Sequence, residues 1–493
     1  MAIPPESFFL PAGVSGTLQQ RIRQMVAEGI LSGRFRPGDR LPSSRALAAH
    51  LGISRITVTL AYTELVASDY LTARGRSGYY VSGNAPVPPD FHSRAASGPQ
   101  YDYARLTGER FSRTARVARP EDWSRFAYPF IYGQADATLF DHQNWRLCAL
   151  SALGRRDFEA LTSDYYERDD PMLIEYILRH ILPRRGIDAR AGEVLVTMGA
   201  QNALWLAGQV LLAPDRVAVM ENPGYPGLRP ILAQLGCRVA AVDVDQDGLP
   251  PDALPHDADV VFTTASHQSP TNATLPLDRR LDLLRLAGER DFVVVEDDYE
   301  FEMSFLKPVS PSLKSLDAEG RVVHIGSFSK SLFPGLRLGY MVAPESFIRE
   351  ARALRAQVLR HPPGHIQRTA AYFLSLGHYD ALVNRMRAAF KRRRTVMDEA
   401  IRANGLDIAG QGGFGGSSFW MRAPESVDTA RLAEVLRAQG VLIEPGGAFF
   451  APDRPDRRHY RLAYSSIAVS RIPEGIALIA RALQGQEFTA KNP

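Results

Sequence analysis

Five apolar runs govern how most of this chain can fold: VLVTMG (194–199), RVAVMENP (216–223), DVVFTTAS (259–266), FVVVEDD (292–298) and VVHIGSFS (322–329), with helical stretches between them. A strand that is apolar on both faces must be covered on both, and strands alternating with helices are joined by crossovers that keep them parallel. The spacing therefore predicts a largely parallel sheet with helices on either side, an α/β/α arrangement beginning near Tyr128. After Pro344 the pattern turns more helical, with a late strand pair near 417–422 and 459–464, which predicts a smaller C-terminal α/β subdomain over about 345–493. At 493 residues the chain is too long for one ordinary core, so a multidomain protein is expected.

Residues 1–83 follow another rule. A stretch over 17–34 carries Leu18, Ile22, Met25, Val26, Ile30 and Leu31 at helical spacing. RPGDRLP (36–42) is a turn. Ser43 and Ser44 are placed to cap a second helix bearing Leu47, Ala48 and Leu51, and Gly52 ends it. Ser54 caps a third helix to about Ala67, with Val58, Ala61, Tyr62 and Leu65 inward; strand-like pieces at 70–73 and 78–81 flank the tip ARGRSG. Three helices and a basic hairpin make a winged helix-turn-helix. This segment holds nine Arg, no Lys and five acidic residues, leaving 49 basic and 49 acidic residues beyond it, so the whole net charge of +4 is local. A basic module on a neutral body is expected of a nucleic-acid-binding domain, although charge alone fits an ordinary solvated face equally well. In this motif the start of the second helix of the pair faces base edges. Ser54, Arg55, Thr57 and Thr59 occupy those positions: Arg55 suits a guanine, and the threonines a phosphate or a thymine methyl. Arg45 is placed for a phosphate, and Arg74 and Arg76 on the wing for an adjacent groove.

From 84 to 126, APVPPD and an Arg-, Ser- and Pro-containing run bury little and read as a linker before a domain at 127–493. The start MAIPPESFFLPAG lacks a basic region and a long apolar run, so no signal peptide is expected. No apolar run approaches the roughly 18–20 residues needed to span a bilayer; 204–213 is too short and carries Gln209. Cys148 and Cys237 stand far apart outside any metal or redox spacing, which suits reduced cysteines in a cytoplasmic protein without a metal site.

Of 58 basic residues only five are Lys: Lys307, Lys314, Lys330, Lys391 and Lys491. Where charge alone is needed this chain uses Arg, so a retained Lys is a candidate for amine chemistry that guanidinium cannot perform. In GSFSKSLFPGLRLGY (326–340) a strand ends at Ser327, Lys330 sits in the turn, and Arg337 follows seven residues on to meet an anion. A pyridoxal 5'-phosphate site needs this combination: an amine for a Schiff base, with hydroxyls and a guanidinium fork for the phosphate. VTMGAQNALWL (196–206) opens a helix whose Ala200 and Gln201 N–H groups suit a phosphate. VVVEDDYEFE (293–302) ends a strand in acids that can pair with a pyridinium nitrogen, and Tyr299 can bond the ring hydroxyl. ENPGYPG (221–227) sets Tyr225 on a shaped turn suited to stacking. Taken singly, each of these three also reads as a plain strand end or loop.

The stretch 31–81, with its PG-x-x-LPS-R turn, SRITV helix and wing ending SGYYV, closely resembles the GntR-type winged helix, which implies DNA binding through Arg45, Arg55, Thr57 and the wing. From about Tyr128 onward the order of the motifs resembles the fold-type I aminotransferases. YGQADATLFDHQNWR (132–146), ENPGYPGLR, SHQSPT (266–271), VVEDDYEFE and GSFSKSLFPGLRLGYMV together resemble the MocR/GabR regulators, which join the two parts. The resemblance implies Lys330 as the aldimine lysine, Asp297 on the pyridine nitrogen and Tyr299 on the ring oxygen. It implies Ser327, Arg337 and the turn of Gly199, Ala200 and Gln201 on the phosphate, with Tyr225 stacking. Arg461 in HYRLAYS (459–465) matches the arginine that takes an amino acid's carboxylate. The function implied is effector-responsive transcription control by a homodimer on an operator in double-stranded DNA. There an amino compound forms an external aldimine with the cofactor; the alternative is an active aminotransferase carrying a DNA-binding domain.

Three stretches depart from the aminotransferase pattern. Ser269 stands where those enzymes carry Asn before Pro-Thr-Gly, and Asn272 replaces the Gly, leaving His267, Gln268 or Asn272 as substitutes for one cofactor contact. YYERDDPML (165–173) replaces a glycine-rich stretch, and GQGGFGGSSFWMRAP (410–424) is expected to shape the effector pocket. Arg385, Arg387 and 391–394 form a basic cluster that reads as a solvated helix face.

Overall fold

The computed structural model of the chain describes residues 2–10, 16–86, 102–108, 111–112, 120–162 and 168–485. The chain divides into two compact units, 1–108 and 109–493. Much of the 84–126 segment, residues 165–167 and the Arg76 side chain lie outside the described residues.

In the first unit, α1 (Leu18–Leu31) starts from a capping box in which Thr17 and Gln20 each accept the other's backbone N–H. Helix α2 (Ser44–Leu51) is capped by the Ser43 hydroxyl and ends on Gly52, at φ +66°. Helix α3 (Arg55–Ala67) is capped by Ser54, and the wing pairs β1 (Leu71–Ala73) antiparallel to β2 (Tyr79–Val81). Ile22, Val26, Ile30, Leu47, Val58, Ala61, Tyr62 and Leu65 form the core, whereas Leu18 and Leu31, at the two ends of α1, are exposed. The extreme N-terminus contributes Ile3 and Phe8 to the same core, with Phe8 5.2 Å from Phe35 between ring centroids.

The first strand of the second unit is β3 (Tyr128–Pro129). Its main sheet contains β4 (Val194–Thr197), β5 (Val217–Asn222), β6 (Arg238–Asp243), β7 (Val260–Thr263), β8 (Val293–Asp297), β9 (Val322–Ser327) and β10 (Gly339–Val342), in the order β4-β10-β9-β8-β7-β5-β6. Strand β10 pairs antiparallel with both its neighbours, and the pairings from β9 through to β6 are parallel. Side chains alternate between two covered faces: Ala218 and Met220 join Leu204 and Ile231 on one, while Val219 joins Leu283 and Leu313 on the other. A second, antiparallel sheet follows: β11 (Asp407–Ile408), β12 (Ser418–Arg422), β14 (Glu444–Pro445) and β15 (His459–Ala463), ordered β11-β12-β15-β14, while β13 (Val441–Leu442) pairs with β3. The late strand pair read from the sequence is β12 and β15, with Trp420 opposite Arg461.

The basic cluster on the helix His378–Ala403 is not a solvated face throughout. Lys391 and Arg392 are exposed, but Arg393 is buried against Asp136 and donates to the Ser465 carbonyl at 2.5 Å. Arg394 donates to the carbonyls of Gly412 and Gly415, and Arg387 to that of Ser304. These arginines tie the helix to loops remote in sequence, a role that spacing along one helix does not reveal. Among the described residues no helix is long and apolar enough to cross a membrane, and Cys148 and Cys237 are free.

Candidate functional site

Parallel strands direct their carboxyl ends to one edge of a sheet, where following loops meet. Here the segments after β4, β5, β7, β8 and β9 line one cavity of about 870 Å³, a volume suited to a small-molecule ligand. The segment after β4 contributes Ala200 and Gln201, and that after β5 Tyr225. The end of β8 brings Asp297 and Tyr299; the end of β9 brings Ser327 and Lys330; Arg337 precedes β10, and Arg461 comes from β15. Every cofactor or effector residue read from the sequence is on this wall except Gly199, which abuts it.

Gly199 caps the helix Ala200–Leu211 at φ +79°, a conformation that disfavours any side chain. A Cβ added there would stand 3.2 Å from Arg337 Nη2 and 3.6 Å from Ser329 Oγ. Arg337 Nη2 donates to the Met198 carbonyl at 3.2 Å, and Ser327 Oγ accepts the Ser329 N–H at 3.2 Å. The Ser329 hydroxyl is buried with no hydrogen-bond partner. A helix N-terminus, hydroxyls and a guanidinium around one glycine form an anion cradle. Beside it, Gln201 donates to the Gly227 carbonyl at 2.8 Å and accepts from the Tyr225 hydroxyl at 2.7 Å, which fixes the ring of Tyr225 at the cavity mouth.

Beyond β8 successive acids part company. Glu296 points back, accepting the Leu313 N–H at 2.7 Å and contacting His324 Nδ1 at 2.9 Å. Asp297 points into the cavity, and its Oδ1 is buried without a partner. Burial, reinforced by the charges of Asp298 and Glu221 and opposed by Lys330, pushes its carboxyl up to about 7. Burial also opposes ionisation of Asp298, but Arg185, donating from Nε at 2.5 Å, holds that acid below its ordinary range. Arg185 is itself fixed by the Ser310 carbonyl and the Ser266 hydroxyl. Tyr299 returns to the cavity, and Glu300 is buried with its Oε1 accepting from Ser417 Oγ at 2.5 Å. Beneath them Glu221 accepts from the hydroxyls of Thr263 and Thr264 and from Gln268 Nε2.

Two cations share one ring. Lys330 Nζ is 3.8 Å from the Tyr132 centroid, and Arg461 Cζ is 4.0 Å from the same centroid. Tyr132 opens the YGQADATLFDHQNWR marker, yet only the fold brings it to the lysine. Of the three possible substitutes beside Ser269, none lines the cavity. Gln268 is spent on Glu221, Pro223 and Thr271, Asn272 donates to the Ser418 carbonyl at 2.8 Å, and burial lowers His267 to about 4. Ser269 itself is on the wall. The 410–424 stretch does not line this cavity; it reaches the site through Ser417 and Glu300.

On the winged helix, Arg45, Ser54 and Arg55 are exposed, with Arg55 Nε donating to Ser44 Oγ at 3.4 Å. Thr57 and Thr59 are half-buried, and the Thr59 hydroxyl donates back to the Arg55 carbonyl at 2.9 Å. Arg74 lies over the Tyr80 ring at 4.7 Å. Sequence reading passed over Ile56 and Leu60, 70% and 48% exposed one turn apart on α3, where apolar residues have no core to fill.

Residues 18–81 match the family described as bacterial regulatory proteins, gntR family, and residues 161–470 match aminotransferase class I and II. The chain is 67% identical to the HTH-type transcriptional regulator TauR of Rhodobacter capsulatus, over 98% of this chain and 100% of that one. It is 28% identical to the probable rhizopine catabolism regulatory protein MocR of Rhizobium meliloti, over 97% and 96%. Among solved structures, the alpha-aminoadipate aminotransferase LysN of Thermus thermophilus, complexed with N-(5'-phosphopyridoxyl)-L-leucine, superposes with a TM-score of 0.70 and 27% identity, covering 78% of this chain and 99% of that one.

Proposed function

Because this chain belongs to the MocR/GabR branch of the gntR family, HTH-type transcriptional regulators that carry an aminotransferase class I and II domain, we propose that it holds pyridoxal 5'-phosphate on Lys330 and alters its grip on an operator when a small amino compound enters the cavity. The observation that carries this reading is the unpartnered Oδ1 of Asp297, which shares its cavity with the Lys330 amine. A buried acceptor needs a donor, and a pyridinium N–H is the donor this one suits. The cradle fits as well: Gly199, Ala200 and Gln201 offer backbone N–H groups, and Ser327 and Arg337 complete a phosphate site. Tyr299 would bond the ring oxygen and Tyr225 cover a ring face. Bound there, the cofactor would supply an aldehyde carbon that condenses with primary amines and a ring that draws electrons from it. Arg461 would take an acid group at the effector's far end.

On this reading residues 1–83 bind double-stranded DNA, 84–126 link, and 127–493 sense the effector, with 345–493 as the part that moves. Arg45, Arg55 and Thr57, with Arg74 and Arg76 on the wing, contact the duplex. Two copies in a homodimer would read two half-sites in the cytoplasm. The effector acts only if it binds one arrangement of that dimer better than the other.

The test is absorbance of the full-length chain with added pyridoxal phosphate, followed by borohydride reduction and peptide mass mapping. The band and the reduced adduct belong to Lys330, and Lys330→Ala loses both; Lys330→Arg also fails, since guanidinium is not nucleophilic. A reducible adduct persisting in Lys330→Ala overturns the assignment, and a wild-type chain that takes up no cofactor overturns the whole reading. One observation favours a second reading, an active aminotransferase: amine, acid and Arg461 all line one cavity. Sustained ketoacid production from amino donor and acceptor supports that reading; spectral change without turnover supports the sensor.

A further inference from the structure

One buried acid has no part in the reading above. Glu300 is 3% exposed, its Oε1 accepts from Ser417, and its Oε2 has no hydrogen-bond partner. It lines a second, smaller cavity of about 30 Å³, and Lys330 and Ser329 line both this cavity and the large one. The hydroxyls of Ser329 and Ser465 in the same wall are likewise buried without partners. A space of this size takes about one or two water molecules, and water is the group that satisfies several such atoms together. Among the described residues, Lys330 is the one Lys or Arg in this wall; the other acid there, Asp136, is matched by Arg393.

Resting on the reading of Lys330 as the cofactor lysine, we propose that Glu300 is its counter-charge, acting from the rear pocket directly or across water to keep Nζ protonated. An ammonium and a carboxylate removed together from water stabilise each other's charged forms. Burial raises the Glu300 carboxyl; the Ser417 hydroxyl, then the charges of Lys330 and Arg461 and the Tyr132 hydroxyl, draw it back. Other groups face the amine: Asp297 from the end of β8, the rings of Tyr132 and Tyr299, and Arg461, which stands against the same Tyr132 ring and opposes a charge on Nζ. With the cofactor bound, Asp297 would pair with the ring nitrogen in front and Glu300 would balance the lysine from behind; without it both acids face the amine, and Glu300 supplies its share from the rear pocket. When Nζ must become a neutral nucleophile, its proton passes to Glu300 Oε2, leaving an amine and a carboxylic acid.

The proton affinity of Nζ is measurable without cofactor. Full-length wild type and Glu300→Gln are labelled with acetic anhydride across a pH series, and modification of Lys330 is read by peptide mass spectrometry against Lys307 and Lys314. The midpoint for Lys330 falls by about one pH unit or more in Glu300→Gln, a tenfold loss of proton affinity, and Glu300→Asp recovers part of it. Ser417→Ala, which removes only the hydroxyl holding Glu300, lowers the midpoint by a smaller step and serves if Glu300→Gln does not fold. With pyridoxal phosphate added, the pH midpoint of the visible band moves in the same direction. An unchanged Lys330 midpoint in both variants overturns the proposal. A chain that binds no cofactor overturns the proposed function instead and leaves the labelling result standing.

Discussion

Arg461 donates Nε to Oε2 of Glu444 at 2.8 Å, and both side chains are almost wholly shut off from solvent. Register sets the pair, since the two residues stand opposite each other on β14 and β15. A structural ion pair and an effector anchor are therefore not competing roles for this arginine. Glu444 holds one edge of the planar group, and the guanidinium still forms part of the cavity wall.

Arg461→Lys tests the anchor. Lysine keeps the charge but has no Nε to give Glu444 and no fork for an acid. An acidic effector should bind more weakly by on the order of 1.5–3 kcal/mol. Titrating both proteins with the responsive compound while following the visible band measures this. Equal affinities would place the anchor elsewhere.

Asp297 should make the cofactor-free chain sensitive to pH. Its folded-state value is raised from 3.8 to about 7, so the folded chain holds a proton the unfolded chain has lost between those values. Stability from this group is thus greatest below about pH 4 and declines as pH rises to about 7. Asp297→Asn removes the decline: its melting temperature gains on wild type at pH 8 and not at pH 4. The full span is on the order of 4 kcal/mol, at about 1.4 kcal/mol per pH unit. A difference between the two proteins that is flat with pH would contradict the burial argument. Adding pyridoxal phosphate should reverse the ranking, because the acid then gains a cationic partner.

For DNA, Arg55→Ala should cost about 1–3 kcal/mol on the preferred operator and relax specificity, whereas Arg74→Ala should weaken all sequences alike. Ile56→Ala should lower discrimination at a thymine, since an exposed apolar side chain on this helix suits a thymine methyl. Binding assays on specific and random duplexes separate these outcomes. Equal losses on both duplexes for Arg55→Ala would remove it from base reading.

Arg185→Met should destabilise the larger unit by about 3–5 kcal/mol, because Asp298 loses its main partner and must either carry an unpaired buried charge or take up a proton. Thermal melting checks this. The double variant Arg185→Met, Asp298→Asn should recover part of the loss; no recovery would mean that the guanidinium acts through packing alone.

Much of this was legible from the sequence because its signals are local. Ser43, Ser54 and Gly52 are read as caps from one turn of context, and Gly199, Asp297 and Lys330 each stand at or just after the end of a recognisable strand. What escaped depends on approach between distant segments. Ile3 and Phe8 enter the winged-helix core from the N-terminus, Tyr132 reaches Lys330 across nearly 200 positions, and Arg393 finds Asp136. Periodicity also overreached at Leu18 and Leu31, since a helix end can continue the apolar spacing where no partner covers it. The rear pocket is another such case, assembled from residues between 133 and 465.

The run from Glu296 to Glu300 carries a consequence for how this protein tolerates change. Each acid there has a separate address: one turned to His324, one to the cavity, one to Arg185 and one to Ser417. Replacing one of them disturbs the contacts at that address alone. Deleting one residue ahead of the run would set Tyr299 against Arg185 and leave the guanidinium without its acid, whereas inserting one would set Glu296 at the cavity in place of Asp297. A change of length within this stretch should therefore cost more than the loss of any one acid, and be better tolerated in loops beyond it.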